Sequence, residues 1–96
     1  VFPNERFAYV ITNPPYGVHF GQHLNFERFY TRILQQIWHI LEPNGRLILI
    51  AWKRRQFTRA LKLTGLFRQK LERPIKTGDL HPCIYVLDRI DREEKT

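Results

Sequence analysis

The chain has 96 residues, of which 43% are hydrophobic, so it is large enough for one small domain with an apolar core and is not disordered by composition. Its formal net charge is +7, and residues 46–76 hold ten of the sixteen Lys and Arg but only one of the nine Asp and Glu. Such a basic segment is the electrostatic footprint expected for a nucleic-acid partner, and a solvated basic surface explains it equally well.

The cysteine count and the first residues of the chain indicate the cellular location. A single cysteine, Cys83, excludes an internal disulfide framework, and a lone buried thiol is typical of a reducing compartment, so a cytoplasmic location is predicted. No apolar run approaches the length of a membrane span, and residues 1–6 do not resemble a signal peptide, so no membrane partner is expected. The chain starts at Val1, as a fragment of a longer protein would.

The first predicted element is a buried strand, Phe7–Thr12, followed at once by Asn13-Pro14-Pro15-Tyr16-Gly17. Proline cannot donate to a sheet ladder, so the strand has to stop at Thr12 or Asn13. The result is a stiff loop at the carboxyl end of a strand. Ligands of open α/β sheets bind at that end, so this loop is the candidate functional site.

The residue types in this loop suit the binding of a planar amino group. The side-chain carbonyl of Asn13 and the backbone carbonyl of Pro14 are two acceptors, which can hold both hydrogens of an –NH2 group. Such contacts favour the change of the nitrogen from conjugated to nucleophilic geometry. Tyr16 offers a flat face for a stacked base, and Gly17 lets the backbone pass close to a ligand. The alternative is a Pro-Pro turn in which Tyr16 only packs.

Hydrophobic spacing and turn residues predict four further elements. In chain order they are a long helix capped by Asn25 and reaching Leu41, a buried strand over 46–52, a helix over 56–62 stopped by Gly65, and an antiparallel hairpin of 66–75 and 82–90. In the last strand, Ile84, Val86 and Leu87 are expected on the apolar side, facing the core.

Thr12-Asn13-Pro14-Pro15-Tyr16-Gly17 resembles motif IV of class I S-adenosylmethionine-dependent amino-methyltransferases. The order of elements resembles the C-terminal half of that Rossmann-like α/β domain, strands four to seven, with the last antiparallel strand inserted between five and six. The motif, Gly45-Arg46-Leu47 and the closing hairpin are most similar to RNA guanine-N2 methylases that often carry a THUMP domain. His19 stands where those enzymes often have an arginine.

The resemblance implies that residues 1–96 form a partial catalytic domain, the substrate-side half. The cofactor-binding N-terminal half is absent, because all five glycines are isolated and none forms a glycine-rich turn. In the complete enzyme the cofactor would be S-adenosylmethionine. Asn13, Pro14 and Tyr16 are the implied catalytic residues, Asn13 also lies near the methyl donor, and Pro15 and Gly17 contact the substrate.

A basic tripeptide, Lys53-Arg54-Arg55, follows the second strand and is expected at the same carboxyl end of the sheet as Asn13. Phosphate contacts dominate nucleic-acid affinity, so we predict that these three side chains bind the RNA backbone; a solvated strand end is the alternative. No metal site is expected, because the spacings of His19 with His23 and of His81 with Cys83 match no common zinc pattern.

The implied function is methylation of an exocyclic base amine in RNA, with guanine N2 of tRNA as the first choice. The alternatives are adenine N6 of DNA or RNA, a protein glutamine amide, and a non-catalytic RNA-binding module. Strand 7–12 would lack its neighbour in the sheet, and exposed strand edges pair with other chains. The expected partners are therefore RNA and either the missing N-terminal half or a second copy bound through strand 7–12.

Overall fold

A computed structural model describes residues 6–14, 25–76, 78 and 81–91. The elements are β1 (Phe7–Thr12), α1 (Phe26–Ile40), β2 (Leu41–Ala51), α2 (Arg54–Thr64), β3 (Phe67–Pro74) and β4 (Cys83–Arg89). The predicted order of strand, helix, strand, helix and hairpin is confirmed, and β1 has the predicted bounds. None of the helices in these ranges is long and apolar enough to cross a membrane.

The four strands form one sheet in the order β1-β2-β4-β3. β1 and β2 are parallel, whereas β4 is antiparallel to both β2 and β3. The last strand is therefore inserted between its predecessors, as the resemblance predicts, and the α/β fold class is confirmed. Because β1, β2 and β3 run in the same direction, Thr12, Ala51 and Pro74 all lie at one end of the sheet, called here the carboxyl end.

The helix boundaries follow from local signals. The Asn25 side chain caps α1 by accepting a hydrogen bond from the Arg28 backbone N–H at 3.0 Å. α2 ends at Gly65, whose φ of 61° is left-handed and therefore favours glycine. α1 ends one residue before the predicted Leu41, because β2 begins at Leu41, five residues before its predicted start. The pairing of β2 with β1 is irregular over this early part.

The core lies between the two helices and one face of the sheet. Tyr30 of α1, Phe57 of α2 and Tyr85 of β4 are all buried, and the Phe57 ring centroid lies 5.1 Å from that of Tyr30 and 4.7 Å from that of Tyr85. Cys83 is also buried, as predicted. The remaining buried apolar residues are Leu34, Ile37, Leu41, Leu47, Leu49, Ala51, Ala60, Phe67 and Leu87.

The expected core orientation of β4 is right for Leu87 and wrong for Ile84 and Val86. Cys83, Tyr85 and Leu87 face the helices, whereas Ile84 and Val86 are only half-buried and lie on the opposite face. β4 is an inner strand with apolar side chains on both faces, so alternation along its sequence does not reveal which face the helices cover.

The middle of that opposite face is apolar, and no described helix packs on it. Ile11, Ile48, Val86 and Leu71 lie in register across all four strands. Ile11 is 75% exposed, although it sits beside an apolar neighbour. The name "bare face" is used for the whole apolar set, which is Tyr9, Ile11, Ile48, Ile50, Leu71, Ile84 and Val86; none of these belongs to the core cluster.

Candidate functional site

Asn13 and Pro14 directly follow β1 at the carboxyl end of the sheet, where the sequence places them. Asn13 is exposed and Pro14 is buried, so the amide is available to a ligand while the residue after it is held in place. The other motif residues, Pro15, Tyr16 and Gly17, lie outside the described residues, and so do His19 and His23. Their roles stay predictions.

The amide of Asn13 has a partner that sequence reasoning missed. The indole N–H of Trp52 donates a hydrogen bond to Asn13 Oδ1 at 2.9 Å. Trp52 is the first residue after β2, the parallel neighbour of β1. The sequence signals only that the two residues share one end of the sheet, because both follow adjacent parallel strands; it does not show that their side chains bond.

The connection from β2 to α2 is fixed by contacts with α1. The Lys53 backbone N–H lies 3.4 Å from the Tyr30 hydroxyl, to which it donates a hydrogen bond. Burial raises the pKa of Tyr30, which favours the neutral hydroxyl whose oxygen accepts that bond. Lys53 Nζ lies 5.4 Å from the ring centroid of Phe26, within cation–π range. Lys53 is thus exposed at the carboxyl end of the sheet with its backbone anchored to α1.

The two arginines of the tripeptide differ in their surroundings. Arg54 Nη2 forms an ion pair with Glu72 Oε2 at 2.8 Å, a contact that raises the pKa of Arg54 and lowers the pKa of Glu72. Arg54 is therefore directed towards β3. Arg55 is exposed and, among the described residues, takes part in no ion pair. Of the two, Arg55 is the one whose charge is available to a ligand.

An open cleft of about 500 Å³ lies between α2 and β3. Arg55, Arg59 and Lys62 recur at spacings of four and three residues, so they share one exposed face of α2. These three residues are called the basic stripe. The cleft is lined by Arg54, Arg55, Thr58, Arg59, Lys62, Glu72 and Tyr85.

The basic stripe keeps most of its charge available. Arg59 Nη1 is 3.5 Å from Glu27 Oε1, a long contact between partly exposed groups that contributes little. Lys62 forms no ion pair within the described ranges. The cleft therefore presents an anion with three cationic side chains along α2, a helix that starts at the end of the sheet that carries Asn13.

The described residues contain no cluster of three His, Cys, Asp or Glu side chains that could hold a metal ion. His81 is described, but the His19 and His23 pair is not. Burial raises the pKa of the Cys83 thiol, which disfavours the thiolate needed for nucleophilic or metal-binding chemistry. The carboxamide of Asn13 and the cations of α2 are thus the chemical features of this site.

Comparison with known proteins gives one family and several related folds. A family model described as "UPF0020: RMKL-like, methyltransferase domain" matches residues 2–82. Over 81 residues the chain is 34% identical to a tRNA (guanine(6)-N2)-methyltransferase of Archaeoglobus fulgidus; the match covers 84% of this chain and 20% of that protein. The chain therefore spans about a fifth of the length of this curated relative.

Two solved structures share the fold. TrmN from Thermus thermophilus superposes with a TM-score of 0.73 at 24% identity, covering 90% of this chain and 24% of that one. A Streptococcus mutans protein solved in complex with SAH superposes with a TM-score of 0.58 at 16% identity, covering 90% and 52%. At these identities the likeness concerns the arrangement of helices and strands alone.

Proposed function

Because the chain belongs to the RMKL-like methyltransferase domain family, we propose that it forms the substrate side of an enzyme that methylates guanine N2 in tRNA. The observation that carries this proposal is Asn13, exposed at the carboxyl end of β1 with its amide oxygen oriented by a hydrogen bond. The Archaeoglobus relative is named for the same reaction, which supports guanine over the other amines. The basic stripe supports a nucleic-acid substrate over a protein one.

In the proposed mechanism, Asn13 Oδ1 and the Pro14 backbone carbonyl accept the two hydrogens of the substrate amine. Holding both hydrogens turns the nitrogen lone pair out of conjugation with the base, so that it can attack an electrophilic methyl group. The neutral amide achieves this without removing a proton beforehand, so the contacts are strongest in the transition state. Once the N–C bond has formed, the nitrogen loses one of its two hydrogens as a proton. Tyr16 is proposed to stack on the flipped-out base, and Pro15 and Gly17 are proposed to contact the substrate.

S-adenosylmethionine, when bound, supplies an electrophilic methyl group. The described residues fit only the reacting end of this cofactor. Asn13 is exposed and polar, and it would lie near the methyl group. The glycines are isolated in the sequence, so no glycine-rich turn can hold the adenosine part. We infer that the other contacts to the donor come from a cofactor-binding half outside these 96 residues.

The same missing half is the proposed cover of the bare face. A sheet with parallel strands is normally covered on both faces, and an open strand edge is a template for pairing. β1 has one neighbour, β2, among the described strands, and its Tyr9 is 65% exposed. We propose that the cofactor-binding half occupies this face and edge in the complete protein, and that a second copy does so when the half is absent.

The substrate class is tested by incubating the full-length protein that contains this chain with labelled S-adenosylmethionine and three acceptors: tRNA, duplex DNA and a release-factor-like protein. Label is expected on guanine N2 of tRNA. Label on adenine alone, on DNA alone or on protein alone would replace the proposal with the corresponding alternative. A non-catalytic module is the remaining outcome, and it predicts RNA binding without donor binding.

The RNA backbone is proposed to lie along the basic stripe. Arg55 and Lys62 are the expected phosphate contacts. Lys53, exposed at the carboxyl end of the sheet, is also proposed to contact the backbone, whereas Arg54 has to leave Glu72 before it can contribute. Replacing Arg55 and Lys62 together with alanine is expected to weaken tRNA binding and to reduce the slope of log K against log salt by about two, because each phosphate contact contributes roughly 0.9. Fluorescence titrations of tRNA binding at salt concentrations from about 50 to about 200 mM measure this slope.

The matched control is Arg68→Ala, which removes an exposed cation near the start of β3, at the opposite end of the sheet. It is expected to leave the slope close to that of the unmodified protein. An unchanged slope for the double variant, or an equal loss for Arg68→Ala, would show that RNA does not follow the stripe.

A cytoplasmic location is part of the same proposal. It is supported by the proposed tRNA substrate and by the single cysteine, whose buried thiol needs no oxidising compartment.

A further inference from the structure

We infer that Trp52 is a positioning residue that fixes the orientation of the Asn13 amide for the incoming amine. This inference rests on the proposed function, since it concerns the same reaction. Its structural basis is the 2.9 Å hydrogen bond from Trp52 Nε1 to Asn13 Oδ1, made between residues that follow two adjacent parallel strands.

The bond selects one of two amide orientations. An exposed asparagine can rotate its carboxamide so that either the oxygen or the –NH2 group faces a given point. The indole N–H of Trp52 is a donor only, so it can bond to Oδ1 but not to the –NH2 group of Asn13. A carbonyl oxygen accepts two hydrogen bonds, so Trp52 leaves one acceptor position on Oδ1 for the substrate amine.

Trp52 can perform this role because its own backbone is constrained on both sides. The preceding residue, Ala51, is buried and pairs with Cys83 in the sheet. The following residue, Lys53, donates its N–H to the Tyr30 hydroxyl, and its carbonyl accepts the Phe57 N–H at 3.0 Å in the first turn of α2. The indole is therefore attached to a strand end and a helix start rather than to a long loop, which suits a group that holds another in place.

The test uses two variants of the full-length protein in which residue 52 lacks the indole N–H. Trp52→Phe removes the N–H, and benzothienyl-alanine at position 52 removes it while keeping the shape of the indole. Both are expected to lower kcat about tenfold with little change in KM for tRNA, because the amide then populates unproductive orientations. Equal losses in the two variants would assign the effect to the hydrogen bond rather than to the ring.

Trp38→Phe is the matched control. Its indole N–H donates to the Ile90 carbonyl at 3.1 Å, beyond the end of β4 opposite the carboxyl end of the sheet. This variant is expected to change stability and to leave kcat unchanged. Unchanged kcat in the Trp52 variants would overturn the inference, and so would a higher kcat, which would mean that Trp52 blocks the amide.

A readout that needs no activity separates this inference from the proposed function. The Trp52 indole N–H resonance is expected to shift in Asn13→Ala and to stay unchanged in Gln36→Ala, which removes an exposed carboxamide from α1. If the resonance does not respond to Asn13→Ala, the positioning role is wrong whatever the enzyme does. If it responds but the unmodified protein methylates no acceptor, the proposed function is wrong and the contact stands.

Discussion

Replacing Asn13 with alanine in the full-length protein is expected to lower kcat for methyl transfer by about 100- to 1,000-fold, the usual cost of removing one preorganised polar contact at a reacting centre. The physical reason is that Asn13 Oδ1 is proposed to bond the amine most strongly when its lone pair leaves conjugation. Single-turnover transfer of labelled methyl to tRNA measures the loss. The Kd for tRNA should change little, because phosphate contacts supply most of the affinity.

The position of Asn13 makes this variant easy to interpret. Its side chain is exposed, and its amide is bonded to Trp52, which is itself only half-buried, so the free energy of unfolding should change little. Gln36→Ala is again the control, since it deletes an exposed carboxamide from α1, about 15 Å along the helix from its start. Transfer by Asn13→Ala at the unmodified rate would contradict the proposed mechanism.

Much of the fold is predictable because its signals are local. Prolines after Thr12 end β1, the Asn25 side chain starts α1, and a left-handed Gly65 ends α2. The order of strands came instead from the resemblance to methyltransferases, since spacing alone does not show that β4 enters between β2 and β3.

The location of the candidate site was predictable from the sequence, but the contacts between its side chains were not. The sequence puts Asn13 at the carboxyl end of β1, but its bond to Trp52 depends on the register in which Thr12 lies opposite Leu49. The pairing of Arg54 with Glu72 likewise depends on how β3 aligns with β4. Contacts of this kind join residues far apart in the chain, so a pattern of neighbouring residues does not contain them.

The bare face leads to the second large expected effect, which concerns assembly. At micromolar concentration the 96-residue chain is expected to self-associate, because Ile11, Ile48, Val86 and Leu71 form an apolar row across the sheet beside the open edge of β1. Ile11→Lys places a charge in this row at its most exposed position. Burying an isoleucine contributes about 1.5–3 kcal/mol, so its loss is equivalent to roughly a 10- to 100-fold change in Kd.

In a symmetric dimer the substitution occurs twice, so association of Ile11→Lys should weaken by about 100-fold or more. Sedimentation velocity over a concentration series measures this change. Leu63→Lys is the control, because Leu63 is 67% exposed but lies on α2, away from the sheet. Equal weakening by both variants would mean that general surface charge, not the bare face, controls association. A folded chain that is monomeric throughout the series would mean that this face is stable in water, and the proposed cover by a cofactor-binding half would then lose its physical basis.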